Sequence, residues 1–315
     1  MEKVDVEFFQ NFSFSGDLKT VCALGNFDGV HLGHRKIIAT LKEKAAQHGA
    51  KSCAITFDPH PQKFLKNKTV HLLMPFDERL ALLEKSGIEM AVRLEFCESL
   101  SLMPPERFIK EIMVEKAAMT AIVVGPRFGF GNKRRGNVDL LRELGDKFGF
   151  ETVVLEPAMV GGERVSSSRI RELILTGHTD EASELLGYCY YIKGVVEEGE
   201  KRGREIGFPT VNLKTRWEIL PKPGVYATVT EIEGHGRERS ITNIGNRPTF
   251  GGGKTVAESH LLDAEGNFYG KKVTVEFVKR VRNEKKFGSA DELSRQITKD
   301  IERVRDVLEK KTGDK

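Results

Sequence analysis

In the first half of the chain, apolar positions follow two alternating patterns. Short runs rich in apolar residues, Val21–Gly25, Ser52–Phe57, Met90–Leu94, Ala121–Gly125 and Thr152–Leu155, read as strands. Between them, Gly33–His48, Asp77–Lys85, Pro105–Lys116 and Val138–Phe148 carry apolar residues every three or four positions, which predicts helices; Ile37, Leu41 and Ala45, for instance, share one face. Strand and helix in alternation is the signature of a parallel sheet covered by helices. Its strands are then buried on both sides, and ligands gather at their C-terminal ends, where loops run into helix N-termini.

After about Gly187 the period changes to two. Val225, Ala227 and Val229 alternate with Tyr226, Thr228 and Thr230, and Tyr190–Val196, Ser240–Asn243, Val256–Leu262 and Val273–Val278 are further strand candidates. Several short strands so close together predict a small antiparallel barrel. Leu293, Ile297, Ile301, Val304 and Leu308 then fall at helical spacing, so Ser289–Lys310 is expected to be an amphipathic helix that caps the barrel or docks on the first domain. The expected fold class is α/β, with a parallel-sheet domain over residues 1–185 and a small antiparallel β-barrel with a C-terminal helix over residues 186–315.

Composition agrees with two domains, since 315 residues exceed the roughly 100–200 of one ordinary core. With 39% hydrophobic and 30% charged residues the chain has the balance of a water-soluble globular protein, disordered at most at its ends. Fifty basic against 46 acidic residues give +4, too weak a bias to indicate a nucleic-acid or membrane surface. Met1–Gly16 lacks the pattern of a signal peptide, and no stretch approaches the ~20 apolar residues of a membrane span. Cys22, Cys53, Cys97 and Cys189 are far apart and read as buried free thiols, so a cytoplasmic location is expected.

Candidate chemistry begins at Gly25-Asn26-Phe27-Asp28-Gly29-Val30-His31-Leu32-Gly33-His34, which closes the first strand and opens the first helix. Backbone N–H groups at a helix N-terminus carry partial positive charge, and Gly29 and Gly33 leave room for a phosphate to approach. His31 and His34 lie on one side of the first turn and can donate to charge on a transferring phosphoryl group. Half a zinc site, or two histidines of no consequence, is the competing reading; the glycines, the strand-to-helix setting and the lack of nearby cysteines weigh against it. Val165-Ser166-Ser167-Ser168-Arg169-Ile170-Arg171 precedes a second helical pattern, Ile170–Leu175. An N-cap would account for one serine, not for three with two arginines, and the set suits a polyphosphate.

The wording GNFDGVHLGH with VSSSRIR resembles the HxGH nucleotidyltransferase superfamily, and more closely the FAD synthetase module of bacterial bifunctional riboflavin kinase/FAD synthetases. The segment ITFDPHP, Ile55–Pro61, fits the same family. The resemblance implies a Rossmann-like nucleotidyltransferase domain in which FMN phosphate attacks the α-phosphate of ATP and pyrophosphate leaves. It assigns His31 and His34 to catalysis and Gly25, Phe27, Asp28, Gly33, Ser167, Ser168 and Arg171 to ATP. Phe57, Pro59, His60, Pro61 and Phe128 are assigned to the flavin. One departure stands out: in Gly125-Pro126-Arg127-Phe128-Gly129-Phe130-Gly131, Arg127 occupies a position where the family has Asp or Asn. Arginine offers donors and no acceptor. Lys133, Arg134 and Arg135 follow, and the loop reads either as phosphate-facing or as a solvated basic loop.

In the second half, Lys193–Leu213 holds glycines and basic residues in a stretch too irregular for one strand, and reads as a mobile loop whose Gly199, Gly203 and Gly207 let N–H groups turn toward a phosphate chain. It lacks the Gly-Lys-Ser/Thr ending of a Walker loop. The segment is similar to the riboflavin kinase loop and its Pro-Thr-Ala-Asn motif, here Pro209-Thr210-Val211-Asn212. Asn243–Phe250, Glu258-Ser259-His260 and Phe268-Tyr269-Gly270 also fit that family. The resemblance places Thr210 and Asn212 on Mg2+, Gly199, Arg202, Gly203, Gly207 and Pro209 on ATP, and Arg247 on the flavin. Glu258 is the candidate base for the ribityl hydroxyl and, by strand alternation, shares a face with His260 and Leu262.

The function expected is phosphorylation of riboflavin to FMN, followed by adenylylation to FAD. ATP and Mg2+ act as cofactors, and riboflavin, FMN and ATP as small-molecule partners. No membrane or nucleic-acid partner is expected, and a homo-oligomer is left open. Two alternatives compete: a riboflavin kinase with an inactive or regulatory N-terminal domain, motivated by Arg127, and a flavin-sensing regulator that binds RNA or a partner through Arg127–Arg135.

Overall fold

A computed structural model describes residues 7–9, 12–14, 16–65, 70–198, 207–247, 254–264 and 266–313. The chain forms two compact units, one of residues 1–71 and 75–166, the other of residues 72–74 and 167–315.

The first unit is built on a six-stranded parallel sheet of β1 (Glu7–Phe9), β2 (Thr20–Leu24), β3 (Lys51–Asp58), β4 (Met90–Glu95), β5 (Met119–Val124) and β6 (Glu151–Val154), in the order β1-β4-β3-β2-β5-β6. Its helices are α1 (Leu32–Gln47), α2 (Pro61–Phe64), α3 (Phe76–Lys85), α4 (Glu98–Ser101), α5 (Pro105–Arg107) and α6 (Val138–Phe148). α5 runs on as a π-helix over Phe108–Lys116. Successive residues of β2 face opposite layers: Val21 and Ala23 pack with Ile38 and Leu41 of α1 and Leu83 of α3, while Cys22 and Leu24 pack with Ile109 and Met113 of the π-helix and Leu141 of α6. Helices thus cover both faces, as the continuous apolar runs require. A short hairpin, β7 (Met159–Val160) and β8 (Glu163–Arg164), follows β6.

The second unit opens with α7 (Ser167–Thr176) and α8 (Thr179–Leu186). Then come β9 (Tyr191–Glu197), β10 (Thr210–Thr215), β11 (Gly224–Ile232), β12 (Gly236–Arg247), β13 (Lys254–Leu261) and β14 (Lys272–Asn283), which close a barrel in the order β10-β13-β12-β11-β14-β9 with every pair antiparallel. The last element is α9 (Ala290–Gly313). Inside the barrel a chain of hydroxyls is fully buried. Thr228 Oγ1 donates to the Ser240 carbonyl at 3.0 Å and contacts Ser240 Oγ and Thr242 Oγ1 at 2.7 Å each; Thr230 meets Ser240 Oγ at 2.8 Å and Ser259 meets Thr242 at 2.7 Å. Each polar group finds a partner, so the polar interior is tolerated. Outside, Val304 and Leu308 of α9 cover Val225, Ala227, Ile241 and Val278. Tyr190 Oη donates to the carbonyls of Leu73 and Ile219 at 3.1 and 2.8 Å, which ties residues 72–74 into this unit.

The elements expected from the pattern are present, most within two residues of their expected bounds. Three expectations change. Thr210–Thr215 is a strand and not part of a loop, because its outward residues are polar and only Leu213 is buried, a weak alternation next to Gly207 and Pro209. Residues 199–206, with Gly199, Arg202 and Gly203, lie outside the described residues. Cys22 and Cys53 are buried free thiols as expected, but Cys97 and Cys189 are half-buried: Cys97 caps α4 beyond the end of the sheet, and Cys189 lies between α8 and β9, where Lys311 Nζ donates to its sulfur at 2.8 Å. Leu262, expected to share the outward face of β13, follows the strand and packs against the cluster under α9.

α9 is pinned by one buried ion pair. Asp300 is 1% exposed and accepts from Arg282 Nε and Nη2 at 2.8 Å each, with Gln296 Nε2 on its other oxygen at 2.9 Å. Removing one partner of such a pair leaves a buried charge. Asp300→Ala is therefore expected to cost about 3–5 kcal/mol in a denaturant melt. Asp263→Ala, at an exposed cluster with Arg239 and Arg305, should cost no more than about 1 kcal/mol.

Candidate active sites

The chain runs from β2 to β3 to β4 in one direction across the sheet, then returns to lay β5 on the other side of β2. Between β2 and β5 the connections diverge, and such a reversal opens a crevice at the carboxyl ends of the strands. The Gly25–His34 loop leaves β2 at this point, and the Gly125–Gly131 loop leaves β5.

The β2 loop is tightly folded. Val30 N–H donates to the Phe27 carbonyl at 3.0 Å, and Phe27 and Val30 take φ of 46° and 34°, a region that bulky and β-branched residues rarely occupy. Such strain persists where surrounding structure over-determines it. Here Phe27, Asp28 and Val30 are all buried. His31 caps α1: its Nδ1 accepts from His34 N–H at 3.3 Å, which puts the ring hydrogen of a neutral imidazole on Nε2. The two imidazoles stack with centroids 3.6 Å apart and planes 13° from parallel, and Phe27 lies 5.2 Å from His34. Gly33 makes the stacking fit, because a β-carbon there would lie 3.1 Å from Cε1 and Nδ1 of His31. The expectation that both histidines share one side of the first turn holds.

Burial pushes His34 well below its ordinary pKa of 6.5, and the charges of His31 and Arg79 push it further the same way. Two buried polar atoms in this loop, Asn26 Oδ1 and His34 Nδ1, have no hydrogen-bond partner among the described residues. Buried polar atoms are ordinarily satisfied, so both suit contact with a bound group. Gly25 N–H is committed to the Ile55 carbonyl at 3.0 Å.

At the end of β3, the half-buried Phe57 meets Phe96 edge-on at 5.6 Å, and the exposed Phe64 also meets Phe96 edge-on at 5.6 Å. The Asp58–Pro59 peptide is cis, Pro61 opens α2, and the buried His60 caps it by accepting from Gln62 N–H at 3.2 Å. After β5, Phe128 stacks on Phe130 at 5.5 Å. Arg127 is exposed, its carbonyl held by Arg134 Nη2 at 3.2 Å. The adjoining ends of the central strands therefore carry an aromatic rim beside a histidine pair. In the second unit Ser167 opens α7, Ser168 is exposed, and Arg171 lies one turn on.

On the barrel, strand register aligns side chains that are remote in sequence. Asn243 of β12 pairs with Glu258 of β13, Glu258 with Asn212 of β10, and Asn212 with Glu197 of β9. Opposed residues share a face, so four polar side chains form one row across four strands. Ala257, Ser259 and Leu261 are buried while Glu258 and His260 are half-buried on the other face, as alternation predicted. Lys214 Nζ reaches Glu197 Oε1 at 2.5 Å. One step along, Thr210 pairs with His260, whose Nδ1 meets the Pro209 carbonyl at 2.8 Å. Gly207 takes φ of +85° at the start of this segment. β9 and β10 approach closely at Gly194, where a β-carbon would lie 2.2 Å from the Lys214 carbonyl oxygen. Arg247 lies at the end of β12.

Asn26, Arg79, Asn243 and Glu197 were not singled out from sequence. Asn26, Asn243 and Glu197 stand inside segments that the sequence had marked without a role for these residues; Arg79 is brought to the β2 loop by tertiary contact alone.

Two family models match the chain: FAD synthetase over residues 14–169 and riboflavin kinase over residues 186–308. Among curated proteins, the bifunctional riboflavin kinase/FMN adenylyltransferase of Haemophilus influenzae is 35% identical over 284 residues, covering 89% of this chain and 92% of its own. Those of Escherichia coli K12 (34%, 89% and 90% covered) and Listeria monocytogenes (33%, 92% of each) are similar. Among solved structures, a crystal structure described as a macrolide-efflux protein from Streptococcus pneumoniae matches with a TM-score of 0.85 at 27% identity, over 95% of this chain and 98% of that one.

The depressed His34 pKa sets a pH dependence. Above the unfolded value of 6.5 both states are neutral at this residue; below it the unfolded chain takes up a proton that the native state resists, so stability falls on acidification. Denaturant melts at about pH 7.5 and about pH 5.5 should show a smaller loss for His34→Asn than for the parent. Equal losses would mean that His34 titrates normally.

Proposed function

Because this chain belongs to the family of bifunctional riboflavin kinase/FMN adenylyltransferases, we infer that it makes FMN from riboflavin and ATP, and then FAD from FMN and a second ATP. We assign adenylylation to residues 1–185 and the kinase to residues 186–315. The observation that supports two reactions is that the chemistry-bearing side chains fall in two separate constellations, the stacked His31–His34 pair at the end of a parallel sheet and the Asn243–Glu258–Asn212–Glu197 row on a barrel.

In the kinase step Glu258 takes the proton of the ribityl 5′-hydroxyl as that oxygen bonds to the γ-phosphorus of ATP, and ADP leaves with the former bridging oxygen. Among the described residues no cluster of three His, Cys, Asp or Glu could hold a metal alone. The Thr210 hydroxyl and the Asn212 amide are neutral oxygen donors that fit Mg2+ arriving with the nucleotide, where the ion neutralises phosphate charge. Pro209, Gly207 and residues Gly199, Arg202 and Gly203 serve the phosphate chain, and Arg247 the flavin.

In the adenylyl step an FMN phosphate oxygen bonds to the α-phosphorus, the bond from that phosphorus to its bridging oxygen breaks, and pyrophosphate leaves. His31, with its hydrogen on Nε2, and neutral His34 donate to the charge that develops. Gly25, Phe27, Asp28, Gly33, Ser167, Ser168 and Arg171 are assigned to ATP. Phe57, Pro59, His60, Pro61 and Phe128 are assigned to the flavin, and the Phe57, Phe64 and Phe96 rings supply apolar surface beside them. The loop around Arg127 is folded, with Phe128 stacked on Phe130, so the substitution does not argue for a dead domain. A cytoplasmic enzyme is supported by four free thiols, and no described helix is long and apolar enough to cross a membrane.

Chromatography of the flavins formed from riboflavin, ATP and Mg2+, with a parallel reaction started from FMN, should give FAD in both. FMN alone in the first and nothing in the second would leave only a kinase. Glu258→Ala should lower FMN formation by about 10²- to 10⁴-fold and spare FAD formation from supplied FMN. His31→Ala should do the reverse; loss of both activities in either stable variant would refute the division.

A further inference from the structure

Linked to the loop of the histidine pair is a residue that neither proposed reaction uses. Arg79, on the inner face of α3, is 1% exposed and one of the largest fully buried side chains of the protein. Arginine is almost never buried without specific contacts. Its Nη1 donates to Thr56 Oγ1 at 3.2 Å and to the Phe57 carbonyl at 3.4 Å, and its guanidinium lies 5.3 Å from the centre of the Phe76 ring, whose other neighbour is Arg93 at 5.2 Å. Thr56 Oγ1, having accepted from Arg79, donates its own hydrogen to the Asn26 carbonyl at 3.2 Å. One hydrogen-bonded path therefore runs from α3 through β3 into the loop that carries His31 and His34.

We propose that Arg79 is a positioning residue for adenylyl transfer, which fixes the Asn26 turn through Thr56 and sets a permanent positive charge within reach of His34. This rests on the adenylyl-transfer reading of that loop. The charge has a chemical use. An imidazolium at His34 would sit stacked on His31; burial disfavours it most, His31 next, and Arg79 adds a like charge in the same direction. Arg79 thus reinforces the neutral ring that burial already favours at His34. The arginine does so without touching substrate, and it cannot itself lose its proton. Lysine would keep the charge but not the planar guanidinium, which faces the Phe76 ring while its Nη1 serves Thr56 and the Phe57 carbonyl.

The test uses the full chain with labelled histidine. His34 is identified among the eight histidines by the signal missing in His34→Asn, and its titration is followed by NMR. In Arg79→Met the titration should move up, and in Arg79→Lys it should stay near that of the parent. In FAD formation from supplied FMN and ATP, Arg79→Met and Thr56→Val should lower kcat by roughly 10- to 100-fold with a smaller change in KM. The acid limb of the kcat profile should shift upward in Arg79→Met only. A folded Arg79→Met whose His34 titrates as in the parent overturns the charge role, and Thr56→Val with parental kcat overturns the hydrogen-bonded path. If Arg79→Met does not fold, Arg79→Lys and Thr56→Val decide: reduced kcat in both with unmoved His34 titration supports the proposal, and parental kcat in both defeats it. A parent that makes no FAD would sink the adenylyl reading, while the His34 titration still judges whether Arg79 controls its charge.

Discussion

The pairing of β2 with β3 on one side and β5 on the other, both parallel, is the constraint on which the first unit depends. A strand paired on both edges has no backbone group left for solvent, and every residue of β2 is buried. Two helical layers then have to cover its faces, and the chain has to reverse direction across the sheet to deliver β5. That reversal places the loop after β2 where its backbone can meet a ligand. The unusual φ angles of Phe27 and Val30, the stacking of His31 on His34 and the buried guanidinium of Arg79 are all held by this frame. None would survive on a flexible loop, since the lost conformational freedom and the strain have to be offset by neighbouring packing.

The barrel solves a different problem with the same rule. Its small closed wall buries hydroxyls inside, and α9 closes its apolar outer patch, so a polar row falls on the remaining outward positions of β12, β13, β10 and β9. Asn243, Glu258, Asn212 and Glu197 come from four separate stretches of sequence, yet register puts them in one row. Rigid strands are well suited to hold such a row, because moving one member requires breaking a ladder on both of its sides.

Much of this was legible in the sequence where periodicity is strong. The five central strands and four main helices of the first unit follow from apolar spacing, and the outward position of Glu258 follows from simple alternation. What was not legible depends on partners far along the chain. The three residues of β1 gain strand character from pairing with β4, and β10 was hidden by neighbouring Gly207 and Pro209. α8, which follows α7 after a single turn, was not among the expected helices. Arg79 reads in sequence as one more charged residue on an amphipathic helix; only the position of α3 against β3 turns it inward. Asn26 was in view but had no evident chemistry until its carboxamide oxygen proved to be buried without a partner among the described residues.

The hydroxyls inside the barrel also share their hydrogens. Thr228 has one hydrogen and three acceptors within reach, the Ser240 carbonyl and the hydroxyl oxygens of Ser240 and Thr242. When it donates to the carbonyl, Ser240 and Thr242 have to point their hydrogens at it, and Thr230 and Ser259 then point at them. When it donates to Ser240 or Thr242 instead, that branch is free to reverse. The five rotors are therefore coupled, and turning one changes what its neighbours can offer, so the polar core responds as a unit.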